Sequence, residues 1–152
     1  MKALIIDDEP IARTVLREGL EGYRDVEVIG EAADGKEALK LIANLRPDVV
    51  FLDLQMPVMS GFEVVRNLEG PFLPVIVVVT AFDQHAIEAF EAGAVDYLLK
   101  PASEARLQRS VERARALLGR PGEIAVQLDK IASAQPAGPA RTRKVVGRNG
   151  EE

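Results

Sequence analysis

The chain has no cysteine among its 152 residues, and it has no run of about 18 consecutive apolar residues. The first absence excludes disulfide bonds and thiolate zinc sites, and the second predicts that no segment spans a membrane. The N-terminus starts with a strand-like apolar segment and lacks the basic region and apolar stretch of a secretory signal. We therefore expect a cytoplasmic protein.

Histidine is also scarce, and acidic residues outnumber basic ones. His85 is the only histidine, and no serine stands in a Gly-x-Ser-x-Gly motif, so the pattern of a Ser-His-Asp hydrolase is missing. The formal net charge is −5, and the acidic residues dominate in 1–120, which does not favour nucleic-acid binding by that part. A small basic cluster near the end of the chain is typical of a solvated linker: Arg141, Arg143, Lys144 and Arg148.

Apolar runs alternate with helical patterns five times along residues 1–120. The strand-like runs are 3–6, 26–32, 49–52, 75–79 and 97–99, and the helical patterns are 12–20, 38–45, 60–68, 85–92 and 107–118. This alternation predicts an α/β fold, in which five parallel strands joined by right-handed crossovers form a doubly wound sheet.

Carboxylates stand at the ends of two of these strands. Asp7 and Asp8 follow the first strand, and Asp53 follows the third. Open parallel sheets place their sites beyond the carboxyl ends of the strands, so we expect the three acids to converge. Converging carboxylates must take up protons or bind a cation, and oxygen ligands of this kind suit Mg²⁺.

Two further polar groups stand at strand ends. Thr80 ends the fourth strand, and Lys100 follows the fifth strand and precedes Pro101. A hydroxyl and an ammonium beside a metal and a nucleophilic carboxylate suit phosphoryl transfer, because the negative charge on the transferred group must be neutralised. Together these residues predict a metal-dependent phosphoryl site.

In this order, the motifs resemble the receiver domain of two-component response regulators. The matching elements are Asp7-Asp8, Asp53-Leu54-Gln55-Met56-Pro57 with Gly61, Thr80-Ala81, and Lys100-Pro101. The resemblance covers residues 1–120 and implies a flavodoxin-like sheet with the strand order 2-1-3-4-5. It also implies phosphorelay signalling, in which the domain accepts a phosphoryl group from a sensor histidine kinase. Such a domain is not an enzyme in the ordinary sense, since it catalyses only its own phosphorylation and slow dephosphorylation.

The resemblance assigns a role to each residue of the phosphoryl site. Asp53 resembles the nucleophile that becomes an acyl phosphate. Thr80 resembles the hydroxyl that binds a phosphoryl oxygen, and Lys100 resembles the ammonium that pairs with Asp53 or its phosphate. The bond between Lys100 and Pro101 resembles the family's cis peptide, which would aim the ammonium inward.

The resemblance also implies a set of ligands for Mg²⁺. Asp8 would bind the metal directly, and Asp7 would hold it through water. Asp53 and the backbone carbonyl of Gln55 would complete the protein ligands.

An output switch is implied as well. After phosphorylation of Asp53, the Thr80 hydroxyl would move toward the phosphoryl group and Tyr97 would turn inward. This change would alter the face formed by the fourth predicted helix, the fifth strand and the fifth predicted helix, through which the family also forms homodimers. Tyr97 is equally typical of a half-buried strand aromatic at the edge of the core, so both interpretations stay open.

Residues 121–152 predict an appendage to this domain. Residues 121–140 favour a helix near 123–134 followed by a linker, and residues 141–152 favour a strand that reaches an Asn-Gly turn. We expect 141–152 to be the start of a truncated effector domain. The chain resembles LytTR-type transcriptional regulators, which implies DNA binding only through the missing effector domain. The alternative is a receiver-only protein that acts through protein contacts.

Two other classes of protein share part of the pattern. A haloacid-dehalogenase-like phosphatase also uses aspartate, Mg²⁺, threonine and lysine, but its two acids are two residues apart, whereas Asp7 and Asp8 are adjacent. A flavodoxin-like nucleotide or flavin binder needs a loop rich in glycine, serine or threonine after the first strand. The acidic residues 7–9 would repel a phosphate there.

Overall fold

A five-stranded parallel sheet forms the centre of the computed structural model, which describes residues 1–81, 88, 90 and 95–134. The strands are β1 (Lys2–Ile6), β2 (Glu27–Ala32), β3 (Val49–Asp53), β4 (Val75–Thr80) and β5 (Tyr97–Leu99). They pair in the order β2-β1-β3-β4-β5, and every pair is parallel. The predicted α/β fold with strand order 2-1-3-4-5 is confirmed.

Five helices lie within the described residues. They are α1 (Pro10–Leu20), α2 (Gly35–Leu45), α3 (Gly61–Arg66), α4 (Glu104–Leu117) and α5 (Pro121–Ser133). Pro10 stands in the first turn of α1. Backbone N–H groups in the first turn have no partner within the helix, so the N–H that proline lacks costs no hydrogen bond. The helix predicted at 85–92 lies, apart from residues 88 and 90, outside the described residues. Among the helices that are described, none is both long and apolar enough to cross a membrane.

Helix α3 is shorter than the predicted span of 60–68. Ser60 and Glu63 form a capping box at its start, in which each side chain accepts the other residue's backbone N–H. At its end the Asn67 side chain donates to the Glu63 carbonyl oxygen at 2.7 Å. The same oxygen accepts from the Asn67 backbone N–H at 3.1 Å, so Asn67 caps the end of the helix with both its main chain and its side chain.

The register of the sheet brings the strand ends to one edge. All residues of β3 and β4 are buried, as are all but the first of β1, because helices cover both faces of a doubly wound sheet. Ile6 pairs with Leu52, and Asp53 pairs with Val79. The residues that follow β1, end β3 and end β4 therefore lie side by side.

Helix α5 packs back onto the sheet and its neighbouring helices. Ile124, Leu128 and Ile131 recur at helical spacing and are all buried. The helix contacts α3, α4 and β4, and the Arg66 side chain donates from Nε to the Ala132 carbonyl oxygen at 3.3 Å. The helix predicted at 123–134 is thus present, and its apolar face belongs to the hydrophobic core.

We expect the substitution Ile131→Ala to lower the free energy of unfolding by about 2 kcal/mol. Ile131 is fully buried, and removing its methyl groups loses burial and leaves a cavity that the surrounding residues can only partly close. Urea denaturation measures the change. The control is Val126→Ala on the same helix, since Val126 is 55% exposed and should change stability by less than about 0.5 kcal/mol. Equal effects of the two substitutions would contradict the packing of α5.

Candidate functional site

Asp7, Asp8 and Asp53 lie together at the carboxyl ends of β1 and β3. One carboxylate oxygen from each of the three residues lies within 4.8 Å of those from the other two. Asp7 and Asp53 are 4% and 2% exposed, and Asp8 is the most exposed of the three. The structure therefore brings the three acids together, although they come from two strands that are far apart in sequence.

This acidic cluster suits a hard divalent cation. Its ligand atoms are carboxylate oxygens, which Mg²⁺ and Ca²⁺ prefer and which softer metals prefer less. The oxygens are close enough for one ion to contact all three residues. A bound dication would also reduce the repulsion between carboxylates that are buried beside one another.

Lys100 reaches from the end of β5 to the acidic cluster. Its Nζ lies 3.2 Å from Oδ2 of Asp53, 2.9 Å from Oδ2 of Asp7 and 2.8 Å from Oε1 of Glu9. Its backbone N–H donates to the Thr80 carbonyl oxygen at 2.9 Å. The peptide bond between Lys100 and Pro101 is cis. The ammonium is therefore shared by carboxylates from β1, from β3 and from the start of α1.

Burial controls the protonation of Asp53. Its removal from water raises the pKa of Asp53 from 3.8 to about 6, and the neighbouring charge of Asp7 acts in the same direction. The Gln55 backbone N–H, 3.0 Å from Oδ1 of Asp53, and the Lys100 ammonium oppose this rise in pKa. Burial alone would lower the pKa of Lys100, but hydrogen bonds to Glu9 and Asp7, together with the charge of Asp53, raise it. Lys100 thus stays charged, and Asp53 is mostly ionised at neutral pH.

Thr80 and Gln55 border Asp53 from two sides. Thr80 follows Val79, the partner of Asp53 in the sheet, and is 1% exposed. Its hydroxyl donates to the Ala81 carbonyl oxygen at 2.9 Å. Gln55 contributes the backbone N–H described above, and the role of its carbonyl as a metal ligand stays a prediction.

The loop between β3 and α3 is packed closely against its own backbone. The Gly61 N–H donates to the Leu54 carbonyl oxygen at 3.0 Å, and a Cβ on Gly61 would lie 2.4 Å from the Asp53 carbonyl oxygen. Val58 is fully exposed with φ of 70°, a left-handed conformation that costs an ordinary residue about 1–2 kcal/mol. Val58 stands five residues after Asp53 in this loop, and strained conformations of this kind often occur near functional sites.

Tyr97 lies half-buried on β5, between a core aromatic and a surface cation. Its ring centroid is 6.3 Å from that of Phe90, and the Arg106 guanidinium carbon is 5.2 Å from the Tyr97 ring centroid. Arg106 also donates from Nη2 to the Tyr97 carbonyl oxygen at 2.6 Å. These contacts suit an aromatic that fills the edge of the core, and the switching role of Tyr97 stays a prediction.

Two residues that the sequence analysis did not select contact the site, and a third, Glu31, binds one of them. Glu9 binds Lys100. In the sequence it could have been noticed as the third consecutive acidic residue after the first strand. Arg13 on α1 donates from Nη1 to the Asp7 carbonyl oxygen at 2.6 Å, and from Nε to Oε1 of Glu31 on β2 at 3.1 Å. No local pattern joins Arg13 to Glu31, because they stand 18 residues apart on different elements. His85 lies outside the described residues.

Comparison with known proteins gives a consistent result. The family model of the response regulator receiver domain matches residues 3–112. The transcriptional regulatory protein BtsR of Salmonella typhi is 52% identical over 115 residues, which are 76% of this chain and 48% of that protein. The chain thus spans about half the length of the curated relatives that it matches.

Solved structures show the same similarity. The REC domain of AraT, a response regulator from Geobacillus stearothermophilus, has 38% identity and a TM-score of 0.66, covering 77% of this chain and 94% of that one. The response regulatory domain of mrkE from Klebsiella pneumoniae has 33% identity and a TM-score of 0.64, covering 76% of this chain and 99% of that one. In both structures, the matched region is a nearly complete domain.

Proposed function

The chain belongs to the response regulator receiver domain family, and on this premise we propose that Asp53 accepts a phosphoryl group in a reaction that depends on Mg²⁺. Membership in this family supports a role in two-component phosphorelay signalling. It also decides against the phosphatase and flavin-binding alternatives. The donor in the cell would be a sensor histidine kinase.

One observation carries the assignment of Asp53 as the nucleophile. Asp7 and Asp53 both contact Lys100 within the acidic cluster, but Asp53 is the one that pairs in the sheet with Val79, the residue before Thr80. A phosphoryl group attached to Asp53 would therefore lie between a fixed ammonium and an acidic cation site. These are the two positive charges that transfer of a phosphoryl group requires.

The transfer would form one bond and break one bond at phosphorus. An oxygen of Asp53 would attack the phosphorus of a phosphohistidine, and the imidazole nitrogen would leave with the electron pair of the broken P–N bond. Bound Mg²⁺ would neutralise charge on the phosphoryl oxygens. Lys100 would bind one of these oxygens, and the Thr80 hydroxyl would bind another after leaving the Ala81 carbonyl oxygen.

The residues present fit the proposed set of magnesium ligands. Asp8, the most exposed of the acids, would bind the ion directly, and Asp7 would hold it through water. Asp53 and the backbone carbonyl of Gln55 would complete the set. The prediction rests on oxygen donors that already converge and on the preference of Mg²⁺ for carboxylates and water.

We further propose that phosphorylation controls transcription. The matched relatives are named as transcriptional regulatory proteins, which supports an output through an effector domain, and the resemblance favours a LytTR-type DNA-binding domain. Phosphorylation would move Thr80 and Tyr97 and change the face that β5 and α4 share with the helix predicted at 85–92. The same face would form the homodimer. Phosphorylation would need only to shift the populations of two conformations that already exist in equilibrium.

The test is the intact mass of the protein after incubation with acetyl phosphate, with and without Mg²⁺. We expect one added phosphoryl group of roughly 80 Da that depends on Mg²⁺ and is removed by hydroxylamine. Asp53→Asn should show no added mass. The control variant, Asp129→Asn, makes the same change at an exposed position of α5 and should be phosphorylated like the wild type.

Two results would count against this proposal. An adduct that persists in Asp53→Asn would place the nucleophile at another residue. A folded wild type that binds Mg²⁺ and gains no mass would show that this receiver does not use acyl phosphate chemistry.

A further inference from the structure

Arg13 on α1 makes a direct contact with the main chain of the acidic cluster. Its Nη1 donates to the Asp7 carbonyl oxygen at 2.6 Å, a short distance for a charge-assisted hydrogen bond. Its side chain is only 18% exposed. The guanidinium therefore reaches Asp7 through its backbone, whereas Lys100 binds the carboxylate of the same residue.

The Asp7 peptide groups are held on both sides. The Asp7 N–H donates to the Ala32 carbonyl oxygen of β2 at 3.0 Å, and the Asp7 carbonyl oxygen accepts from Arg13. These two bonds fix the backbone of a residue that has already left the strand β1. The direction in which the Asp7 carboxylate points follows from that backbone, because the side chain of an aspartate is short.

Glu31 holds Arg13 in this position. Its Oε1 accepts from Nε of Arg13 at 3.1 Å, and its Oε2 accepts from Nε of Arg17 at 2.5 Å. Glu31 lies on β2 beside Ile5 of β1, so its own position is set by the sheet. Arg17 also binds Glu31, but among the described residues its side chain makes no hydrogen bond to the acidic cluster.

We propose that Arg13, oriented by Glu31, is a positioning residue that sets the Asp7 carboxylate for magnesium binding. This inference rests on the proposed function, since it assumes that the acidic cluster binds Mg²⁺. Mg²⁺ requires nearly ideal octahedral geometry and usually keeps several of its waters, so displacing the carboxylate that holds one of these waters lowers affinity. Loss of an outer partner of a metal ligand typically weakens metal binding by about 10- to 100-fold.

The test compares Arg13→Met with Arg17→Met. Both variants keep an apolar stem, remove one positive charge from the same face of α1, and remove one hydrogen bond to Glu31. Only Arg13→Met also removes the bond to the Asp7 carbonyl oxygen. The dissociation constant for Mg²⁺ is measured by calorimetry on the full chain at fixed ionic strength, and urea denaturation measures folding of each variant.

We expect Arg13→Met to raise the dissociation constant about 10-fold, and Arg17→Met to change it less than about 2-fold. Long-range electrostatics predicts the opposite sign, because removing a positive charge near an acidic cluster attracts Mg²⁺ more strongly. A rise in the constant therefore reports positioning. At saturating Mg²⁺, Arg13→Met should regain most of the wild-type rate of phosphorylation by acetyl phosphate, since Arg13 contacts no reacting atom.

Binding of Mg²⁺ by Arg13→Met as tight as in the wild type, or tighter, would overturn the inference. Equal weakening by both variants would overturn it too, since the Asp7 bond would then be irrelevant. If Arg13→Met does not fold, Arg13→Lys replaces it, because lysine keeps the charge but lacks the planar group that binds Glu31 and the Asp7 carbonyl oxygen together. This variant should weaken binding by a smaller factor, with unchanged affinity as the contrary result. A wild type that does not bind Mg²⁺ would instead contradict the proposed function.

Discussion

Gly61→Ala is expected to lower the free energy of unfolding by about 3 kcal/mol, and to slow phosphorylation of Asp53 by about 100-fold. A Cβ at this position would lie 2.4 Å from the Asp53 carbonyl oxygen and 2.9 Å from the Leu54 Cα. Both neighbours are backbone atoms, so the clash can be relieved only by moving the loop or the end of β3. Either movement displaces the residue proposed as the nucleophile.

Gly122→Ala is the matched control for this substitution. Gly122 lies in the first turn of α5, and apart from its chain neighbours and the backbone of its own helix, no atom of the described residues lies within 4 Å of a Cβ added there. Alanine has the higher helix propensity, so this change should stabilise the protein by up to about 1 kcal/mol. Gly61 also starts a helix, hence propensity alone predicts the same sign for both variants. Similar stability of Gly61→Ala and the wild type in urea would show that the loop accommodates a side chain without cost.

Asp53→Asn is expected to stabilise the metal-free protein by about 2 kcal/mol at pH 8. In the folded protein burial raises the pKa of Asp53 from 3.8 to about 6, so folding favours the protonated carboxyl. The stability associated with that proton is complete below pH 3.8 and is lost as the pH rises through about 6. Asparagine carries no charge at any of these pH values and therefore avoids the loss.

Urea denaturation in EDTA from pH 4 to pH 8 measures this difference. The two proteins should be nearly equal at pH 4, should diverge up to about pH 6, and should keep a constant difference above it. Asp129→Asn, at an exposed position of α5, should change stability by less than about 0.5 kcal/mol. Saturating Mg²⁺ should reduce or reverse the advantage of Asp53→Asn, because ligand binding stabilises the protein that binds more tightly. A wild type as stable as Asp53→Asn at pH 8 without metal would contradict the raised pKa.

The strands and their ends were predictable because their signals are local. Strands buried on both faces require continuous apolar runs, and the runs that form β3 and β4 are unbroken up to Asp53 and Thr80. In a parallel sheet all strands end at the same edge, so the polar residue after each run had to lie near the others. This rule predicts that Asp7, Asp8 and Asp53 converge at one edge, whereas the reach of Lys100 from β5 across β4 to Asp53 depends on the tertiary structure.

The end of α3 and the packing partners of α5 could not be predicted from the hydrophobic pattern, because they depend on individual side-chain contacts. At the end of α3 the Asn67 side chain and backbone N–H both bind the Glu63 carbonyl oxygen, a contact that a hydrophobic pattern does not reveal. The apolar residues of α5 predicted a helix. They did not predict that its face would pack against α3, α4 and β4, because the pattern that favours helix formation is the same for any apolar partner.

Local sequence therefore accounts for the α/β order, the strand ends and the residues that can carry phosphoryl chemistry, since each of these depends on a short run and the residue after it. Long-range packing accounts for the raised pKa of Asp53, for the sharing of Lys100 by three carboxylates, and for the chain of bonds from Glu31 through Arg13 to Asp7. Burial and distance set these properties, and both arise only when segments distant in the chain come into contact.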